Sequence, residues 1–115
     1  MDIQLKRAYD PAESADGFRV LVDRLWPRGI SKEKLKLDLW DKDTAPSDEL
    51  RRWFHHEGGS WEEFERRYRE ELAANPEALR ALREALAGRK RVTLLYGAKD
   101  AQHNQAVVLR ELLSE

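Results

Sequence analysis

The sequence predicts an α/β fold in which a mostly parallel or mixed sheet of about four strands carries helices on both faces. Two apolar runs, 18–22 and 92–96, are rich in β-branched and large aliphatic residues, as is typical of strands buried on both sides. Between them, residues 47–86 repeat apolar side chains at helical spacing. We therefore expect one compact α/β domain spanning residues 1–115.

Two further strands are predicted from alternating polar and apolar residues. Ile3 and Leu5 alternate with polar side chains near the N-terminus, and residues 35–40 place a leucine at every second position. Alternation leaves one face of a strand in water, which is common at the edge of a sheet. The two alternating strands are therefore expected to lie outside the two continuous ones.

Four helix starts are predicted from capping residues. Ser47 and Ser60 each precede a stripe of apolar and aromatic side chains, which favours an N-cap at both positions. Asn75 and Pro76 match a cap followed by a proline in the first helical position. Asp100 is expected to cap a last helix, whose apolar face lies within residues 106–113.

The composition of the chain excludes several kinds of functional site. The 115-residue chain contains no cysteine, which excludes disulfides, thiol nucleophiles and thiolate metal sites. It has neither a signal-peptide core nor a run of roughly 20 apolar residues, so we expect a cytoplasmic protein without a membrane span. Residues 1–36 and 89–115 each carry a net charge of +2, whereas residues 37–88 carry −5. Basic charge in the strand-bearing segments favours a local anion site over a broad nucleic-acid-binding surface.

Polar side chains follow both continuous strands directly. If these strands are parallel neighbours, their carboxyl ends meet at one rim of the sheet, where open α/β sheets bind ligands. Arginine's planar guanidinium suits phosphate or carboxylate, so a small anionic ligand is expected at this rim. The first group is Asp23, Arg24 and Arg28, and the second is Asp100, His103 and Asn104.

Several of these side chains also have a structural interpretation. Asp23 and Arg24 would then form an ion pair that anchors the following turn. Asp100 would be a helix cap rather than an acid, and Trp26 would flank the proposed site without stacking on a ligand. His103 would lie in the first turn of the last helix, where an imidazole can transfer a proton near neutral pH.

No metal or cofactor is predicted. His55 and His56 are adjacent on a helix and point about 100° apart, so they cannot ligate one metal as an i, i+4 pair does. The chain has no G-x-S-x-G elbow, no P-loop and no G-x-G-x-x-G turn.

Three long motifs carry a family resemblance: VLVDRLWPRG at 20–29, APSDELRRWF at 45–54 and TLLYGAKDAQHNQAVVL at 93–109. With them the chain resembles the YeaO-like family, a group defined as a domain of unknown function. The resemblance covers almost the whole length. It implies a compact α/β domain in cytoplasmic bacterial or archaeal proteins, and it implies no established activity.

The resemblance also marks individual positions. The middle motif of the family usually reads Trp-Phe-Gly-His-Asp, whereas this chain has His55, His56 and Glu57 after Phe54, so His56 matches the family histidine. The family-like positions are Arg7, Tyr9, Asp23, Arg24, Trp26, Pro27, Arg28, Gly29, Lys42, Pro46, Ser47, Arg51, Trp53, Phe54, His56, Tyr96, Asp100, His103 and Asn104.

Two classes of function remain open, and we favour an enzyme acting on a small phosphorylated or nucleotide-like substrate. In this hypothesis Arg24 and Arg28 clamp the anion, and His103 is the acid or base. Asp23 orients an arginine or polarises a water molecule, and Asn104 positions the substrate. The remaining expected substrate-binding residues are Arg7, Tyr9, Trp26, Arg51, His56, Tyr96 and Asp100.

The alternative is a non-enzymatic module that uses the same basic rim to recognise nucleic acid or an acidic segment of a partner protein. No nucleophile–base pair is evident in the sequence, which favours simple binding. Substrate, oligomeric state and strand order are left open at this level.

Overall fold

The computed structural model describes residues 1–115 and contains one parallel sheet of four strands in the order β1-β4-β2-β3. The strands are β1 (Asp2–Arg7), β2 (Phe18–Leu21), β3 (Leu39–Trp40) and β4 (Arg91–Tyr96). Central β4 pairs with β1 and β2, and every pair is parallel. The α/β fold is therefore confirmed, and the continuous strands lie at the centre of the sheet as predicted.

The helices are α1 (Lys32–Leu35), α2 (Asp48–His56), α3 (Trp61–Ala74), α4 (Pro76–Leu86) and α5 (Gln105–Leu113). Ser47 caps α2 by accepting from the Leu50 N–H at 3.1 Å, and Ser60 caps α3 in the same way. Asn75 and Pro76 begin α4 as predicted. None of these helices combines the length and apolar character that a membrane crossing requires.

The two faces of the sheet are covered unequally. Helices α2 to α5 pack against the face that carries Val20, Leu94 and Tyr96, and this side holds the larger core. The opposite face carries Leu21 and Leu95, which pack against the single-turn helix α1 and the loops around it. Long helices therefore lie on one side of the sheet only.

The prediction of a strand over residues 35–40 is wrong for its first half. Ser31 accepts a hydrogen bond from the Lys34 N–H at 3.2 Å and starts α1, which ends with Lys36 in a left-handed conformation at φ 49°. Leu35 and Leu37 still point toward the smaller core, which explains the alternating pattern. Only Leu39 and Trp40 pair with β2.

The continuous strand β2 also carries a buried charge. Arg19 is 4% exposed, and its Nη1 lies 2.5 Å from Oδ2 of Asp16, which is 5% exposed. Its Nε and Nη2 donate to the Leu35 carbonyl at 3.1 and 2.8 Å. Lys6 Nζ contacts Oδ1 of Asp16 at 3.1 Å. This Asp16–Arg19 pair ties the segment before β2 to α1, near the amino end of β2.

Candidate functional site

A cavity of about 300 Å³ opens at the carboxyl end of the sheet. Its wall is built from residues that follow β1, β4 and β2, together with the last two turns of α2. Because Leu21 pairs with Leu95, β2 and β4 end side by side, and their loops diverge around the cavity. Seven of the predicted site residues line it: Tyr9, Asp23, Arg24, Trp26, Arg28, Arg51 and His56.

Asp23 is the acidic group of the cavity. Its Oδ2 accepts a 2.7 Å hydrogen bond from the Gly97 N–H, and its Oδ1 accepts from Nε2 of Gln105. Burial raises the pKa of Asp23 to about 6, although these two hydrogen bonds and the charge of Arg51 act in the opposite direction. Near neutral pH this carboxyl group is therefore close to its titration range.

Arg24 has a structural role within the cavity wall. Its Nε donates to the Pro46 carbonyl at 3.2 Å and its Nη2 to the Ala45 carbonyl at 3.3 Å. The ion pair between Asp23 and Arg24 that the sequence suggested as an alternative is not formed, because Asp23 is bonded to Gly97 and Gln105. Arg24 instead fixes the segment that leads into α2.

Arg28 and Arg51 are less constrained. Arg28 is exposed, lines the cavity and makes no hydrogen bond or ion pair within the chain. Arg51 Nη2 binds Oδ1 of Asp48 at 2.5 Å, but its Nε is buried and has no hydrogen-bond partner. An unsatisfied buried donor costs about 1–3 kcal/mol. Both guanidinium groups therefore retain donors for a ligand.

Two adjacent histidines complete the α2 side of the wall. The sequence pointed to His56 alone, yet His55 also lines the cavity. Desolvation, followed by the positive charges of Arg51 and His56, lowers the pKa of His55. Arg51 and His55 are i, i+4 neighbours on α2, a spacing that was available in the sequence and places both on one face.

The second predicted half of the site does not reach the cavity. Asp100 does not cap α5, because its Oδ1 accepts from the Gln102 N–H at 2.9 Å and the His103 N–H at 3.2 Å. Asn104 is the actual cap and accepts from the Ala106 N–H at 3.0 Å. The bend over residues 101–104 therefore delays the helix by one turn.

His103 consequently points elsewhere. Its Nδ1 lies 3.0 Å from Oδ2 of Asp100, and its ring centroid is 5.0 Å from that of Trp61. Gln105, the first residue of α5, takes the place at the cavity that we expected for His103 and Asn104. The expectation that His103 and Asn104 meet Arg24 and Arg28 is wrong, and so is the placement of His103 in the first turn of the helix.

Arg7 and Tyr96 also lie outside the lining and support it from behind. Arg7 donates from Nε to the Ala98 carbonyl at 2.9 Å and from Nη2 to the Gly97 carbonyl at 3.3 Å. Tyr96 is 3% exposed and belongs to the core on the helical side. Burial raises the pKa of Tyr96. Arg7 thus holds the segment whose Gly97 N–H binds Asp23.

Comparison with known proteins identifies the family. A family model described as the inactive DUF488-N3 subclade matches residues 2–115. The chain belongs to this family. It is 50% identical over 113 residues to the uncharacterized protein YeaO of Escherichia coli K12, covering 98% of this chain and 97% of the relative. The expected YeaO-like membership is confirmed.

More distant relatives are found in mycobacteria. The chain is 43% identical over 112 residues to an uncharacterized protein of Mycobacterium bovis, Mb3100c, covering 97% of this chain and 93% of the relative. The same identity and coverage hold for the uncharacterized protein Rv3073c of Mycobacterium tuberculosis. No solved structure matches the chain.

Proposed function

We propose that the chain binds a small anion, through a phosphate or carboxylate group, in the cavity at the carboxyl end of the sheet, and that it releases this ligand unchanged. The observation that carries the proposal is the imbalance of charge in the cavity wall. Three arginines line it, and Asp23 is its only carboxyl group.

The imbalance has an electrostatic consequence. Guanidinium groups are charged at any physiological pH, so Arg24, Arg28 and Arg51 raise the potential inside a partly enclosed space. The single opposing group is Asp23, and its pKa is raised to about 6. Near that pH its carboxyl group is only partly ionised, so it offsets only part of the positive charge of the arginines. An anion entering the cavity would offset the mutual repulsion of the arginines and give Arg28 its first partner.

Binding without turnover is favoured by the composition of the wall. The lining contains no Ser, Thr, Cys or Lys, so the usual protein nucleophiles other than carboxylate, imidazole and phenol are missing. The one aspartate–histidine pair at this end of the sheet, Asp100 with His103, stands outside the cavity. The family description, which calls the subclade inactive, points in the same direction.

Arg28→Gln tests the binding site. Because hydrogen bonds to charged groups contribute about 1.5–3 kcal/mol, we expect the affinity for inorganic phosphate to fall about tenfold to a hundredfold. Stability in urea should be unchanged, since Arg28 is exposed and unpaired. Titration calorimetry at low salt measures the affinity. Arg52→Gln is the matched control, because Arg52 lies on α2 with an exposed side chain outside the lining.

Two results would contradict the proposal: no phosphate binding by the unmodified protein at low salt, or equal loss of affinity in Arg28→Gln and Arg52→Gln. The second outcome would indicate a diffuse charge effect instead of a defined site.

A turnover assay separates binding from catalysis. We expect no release of nitrophenol from p-nitrophenyl phosphate above the buffer blank, because no residue pair in the cavity combines a nucleophile with an oriented base. Release that disappears in Asp23→Asn would instead support the enzyme hypothesis, with Asp23 as its catalytic acid.

A further inference from the structure

The cavity wall combines charged side chains with aromatic ones. Arg51, His55 and His56 come from α2, whereas Tyr9 follows β1 and Trp26 follows β2. Since β4 lies between β1 and β2, the loops after β1 and β2 are two strand spacings apart, roughly 9–10 Å. A ligand that contacted both kinds of side chain would need an anionic group and an uncharged aromatic group.

The aromatic side chains of the wall are held in place before any ligand arrives. Trp26 donates from Nε1 to the Ile30 carbonyl at 2.7 Å and packs edge-on against Trp40 with ring centroids 5.4 Å apart. The guanidinium of Arg7 stacks on Tyr9 at 4.9 Å from the ring centroid. Fixed aromatic side chains lose little conformational freedom when a ligand binds, so contacts with them contribute most of their free energy to the affinity.

Two large apolar side chains of the cavity wall are exposed to solvent. Leu25 is 56% exposed and Tyr9 is 43% exposed, and they are two of the three large exposed hydrophobic side chains in the chain. Both belong to the cavity lining. An inorganic anion would leave this surface in water, whereas a ligand with an aromatic ring would cover it.

We infer that the ligand is an aromatic phosphate, with its phosphate on the arginines of the cavity wall and its planar ring against Tyr9 and Trp26. This inference rests on the proposed anion-binding function and adds the chemical class of the ligand. Aryl phosphates and nucleoside monophosphates share this chemistry. Arginine donors hold the phosphate, and the aromatic wall selects the ring.

Three probes test the inference: inorganic phosphate, phenyl phosphate and adenosine 5′-monophosphate. Stacking of a ring on an aromatic side chain raises affinity by about tenfold or more. We therefore expect at least one of the ring-bearing probes to bind the full-length protein about tenfold more tightly than inorganic phosphate. If adenosine 5′-monophosphate binds more tightly than phenyl phosphate, the site is assigned to nucleotides. If these two ring-bearing probes bind equally, and both more tightly than inorganic phosphate, the site is assigned to aryl phosphates generally.

Tyr9→Leu locates the ring. The variant should lose the preference for ring-bearing probes over inorganic phosphate, measured as the ratio of the affinities within the variant, since Tyr9 contributes contact area but no charge. Phe18→Leu is the matched control: Phe18 is also stacked under an arginine, Arg89, but lies at the start of β2, at the opposite end of the sheet.

The outcomes distinguish the two proposals. Equal binding of all three probes, or a preference that survives in Tyr9→Leu, overturns the aromatic assignment and leaves the anion site in place. Failure of all three probes to bind overturns both.

Discussion

Replacing Asp16 by alanine is expected to lower the free energy of unfolding by about 3–5 kcal/mol, the usual cost of removing one partner from a buried ion pair. Arg19 and Asp16 are 4% and 5% exposed, so the orphaned guanidinium could not be compensated by bulk water. Arg19 would keep its two bonds to the Leu35 carbonyl, which supply dipoles but no opposing charge. Urea denaturation near neutral pH measures the loss.

The pKa of Asp16 agrees with this expectation. Burial alone would raise it, but the Glu13 N–H, the ammonium of Lys6 and the guanidinium of Arg19 outweigh burial and lower it. Because the pKa is lower in the folded state than in the unfolded chain, the charged carboxylate stabilises the fold at pH values above the ordinary pKa of an aspartate. That contribution is lost as the pH falls through the folded-state pKa.

Asp2→Ala is the control for Asp16→Ala. Asp2 also pairs with an arginine, Arg91, at 2.9 Å, but both side chains are substantially exposed, so we expect a change within about 1 kcal/mol. Adding Arg19→Met to Asp16→Ala should recover part of the lost stability, because it removes the buried charge. A loss for Asp16→Ala as small as that for Asp2→Ala would contradict the buried-pair interpretation.

This ion pair also shows where reasoning from the sequence stops. The apolar character of residues 18–22 correctly predicts a central strand, because burial on both faces selects such residues. The apolar pattern predicts no role for Arg19. Its partner Asp16 lies in a short 3₁₀ turn three residues earlier, and only the tertiary structure brings the Leu35 carbonyl into reach.

The residues of the candidate site that follow β2 were predicted more accurately than those that follow β4. Asp23 lies two residues beyond the end of β2, and the strand end alone was enough to place it at the rim. Arg28 and His103 each lie seven residues beyond a strand end, but only Arg28 lines the cavity, because the bend that delays α5 directs His103 elsewhere. Position along the chain predicts a side chain's location only close to the element that fixes it.

The residues that α2 contributes to the cavity could not be placed there from the sequence either. Ser47 and the apolar spacing predict α2 well, because capping and amphipathicity are local properties. Whether the polar face of α2 turns to solvent or to the rim depends on how the loop at 45–46 enters the helix. Hydrogen bonds from Arg24 set that entry, and no local pattern encodes them.

Asp23→Asn should change the pH dependence of stability more than any other single substitution at the rim. Burial raises the pKa of Asp23 to about 6, so between about pH 4 and pH 6 the folded state binds more protons than the unfolded chain. The contribution of Asp23 to the stability of the unmodified protein therefore falls as the pH rises through this window. A pKa shift of about two units corresponds to about 3 kcal/mol in the free energy of unfolding. The asparagine variant would not lose this free energy as the pH rises, because asparagine does not ionise.

Comparing the two proteins across pH isolates this effect. Asparagine offers one acceptor oxygen where the carboxylate offers two, so either the Gly97 N–H or Gln105 loses a partner at every pH. We expect the variant to gain up to about 3 kcal/mol relative to the unmodified protein between the acidic and alkaline ends of the titration. Urea denaturation at several pH values measures the gain, and a difference that does not vary with pH would contradict the raised pKa.

Asp100→Asn provides a control of opposite sign. The Gln102 N–H, with further help from His103, lowers the pKa of Asp100, so the charged form is favoured in the folded state. The asparagine variant should therefore lose stability relative to the unmodified protein as the pH rises, whereas Asp23→Asn should gain it.

The same substitution connects stability to ligand binding. An ionised Asp23 repels an anion in the cavity, so sulfate affinity should decrease as the pH rises through about 6 in the unmodified protein. His55 also lines the cavity, and loss of positive charge from its imidazole on raising the pH would weaken sulfate binding as well. Asp23→Asn keeps His55, so its remaining pH dependence reports groups other than Asp23. The difference between the two sulfate profiles then measures the contribution of Asp23, and identical profiles would place the anion away from this carboxyl group.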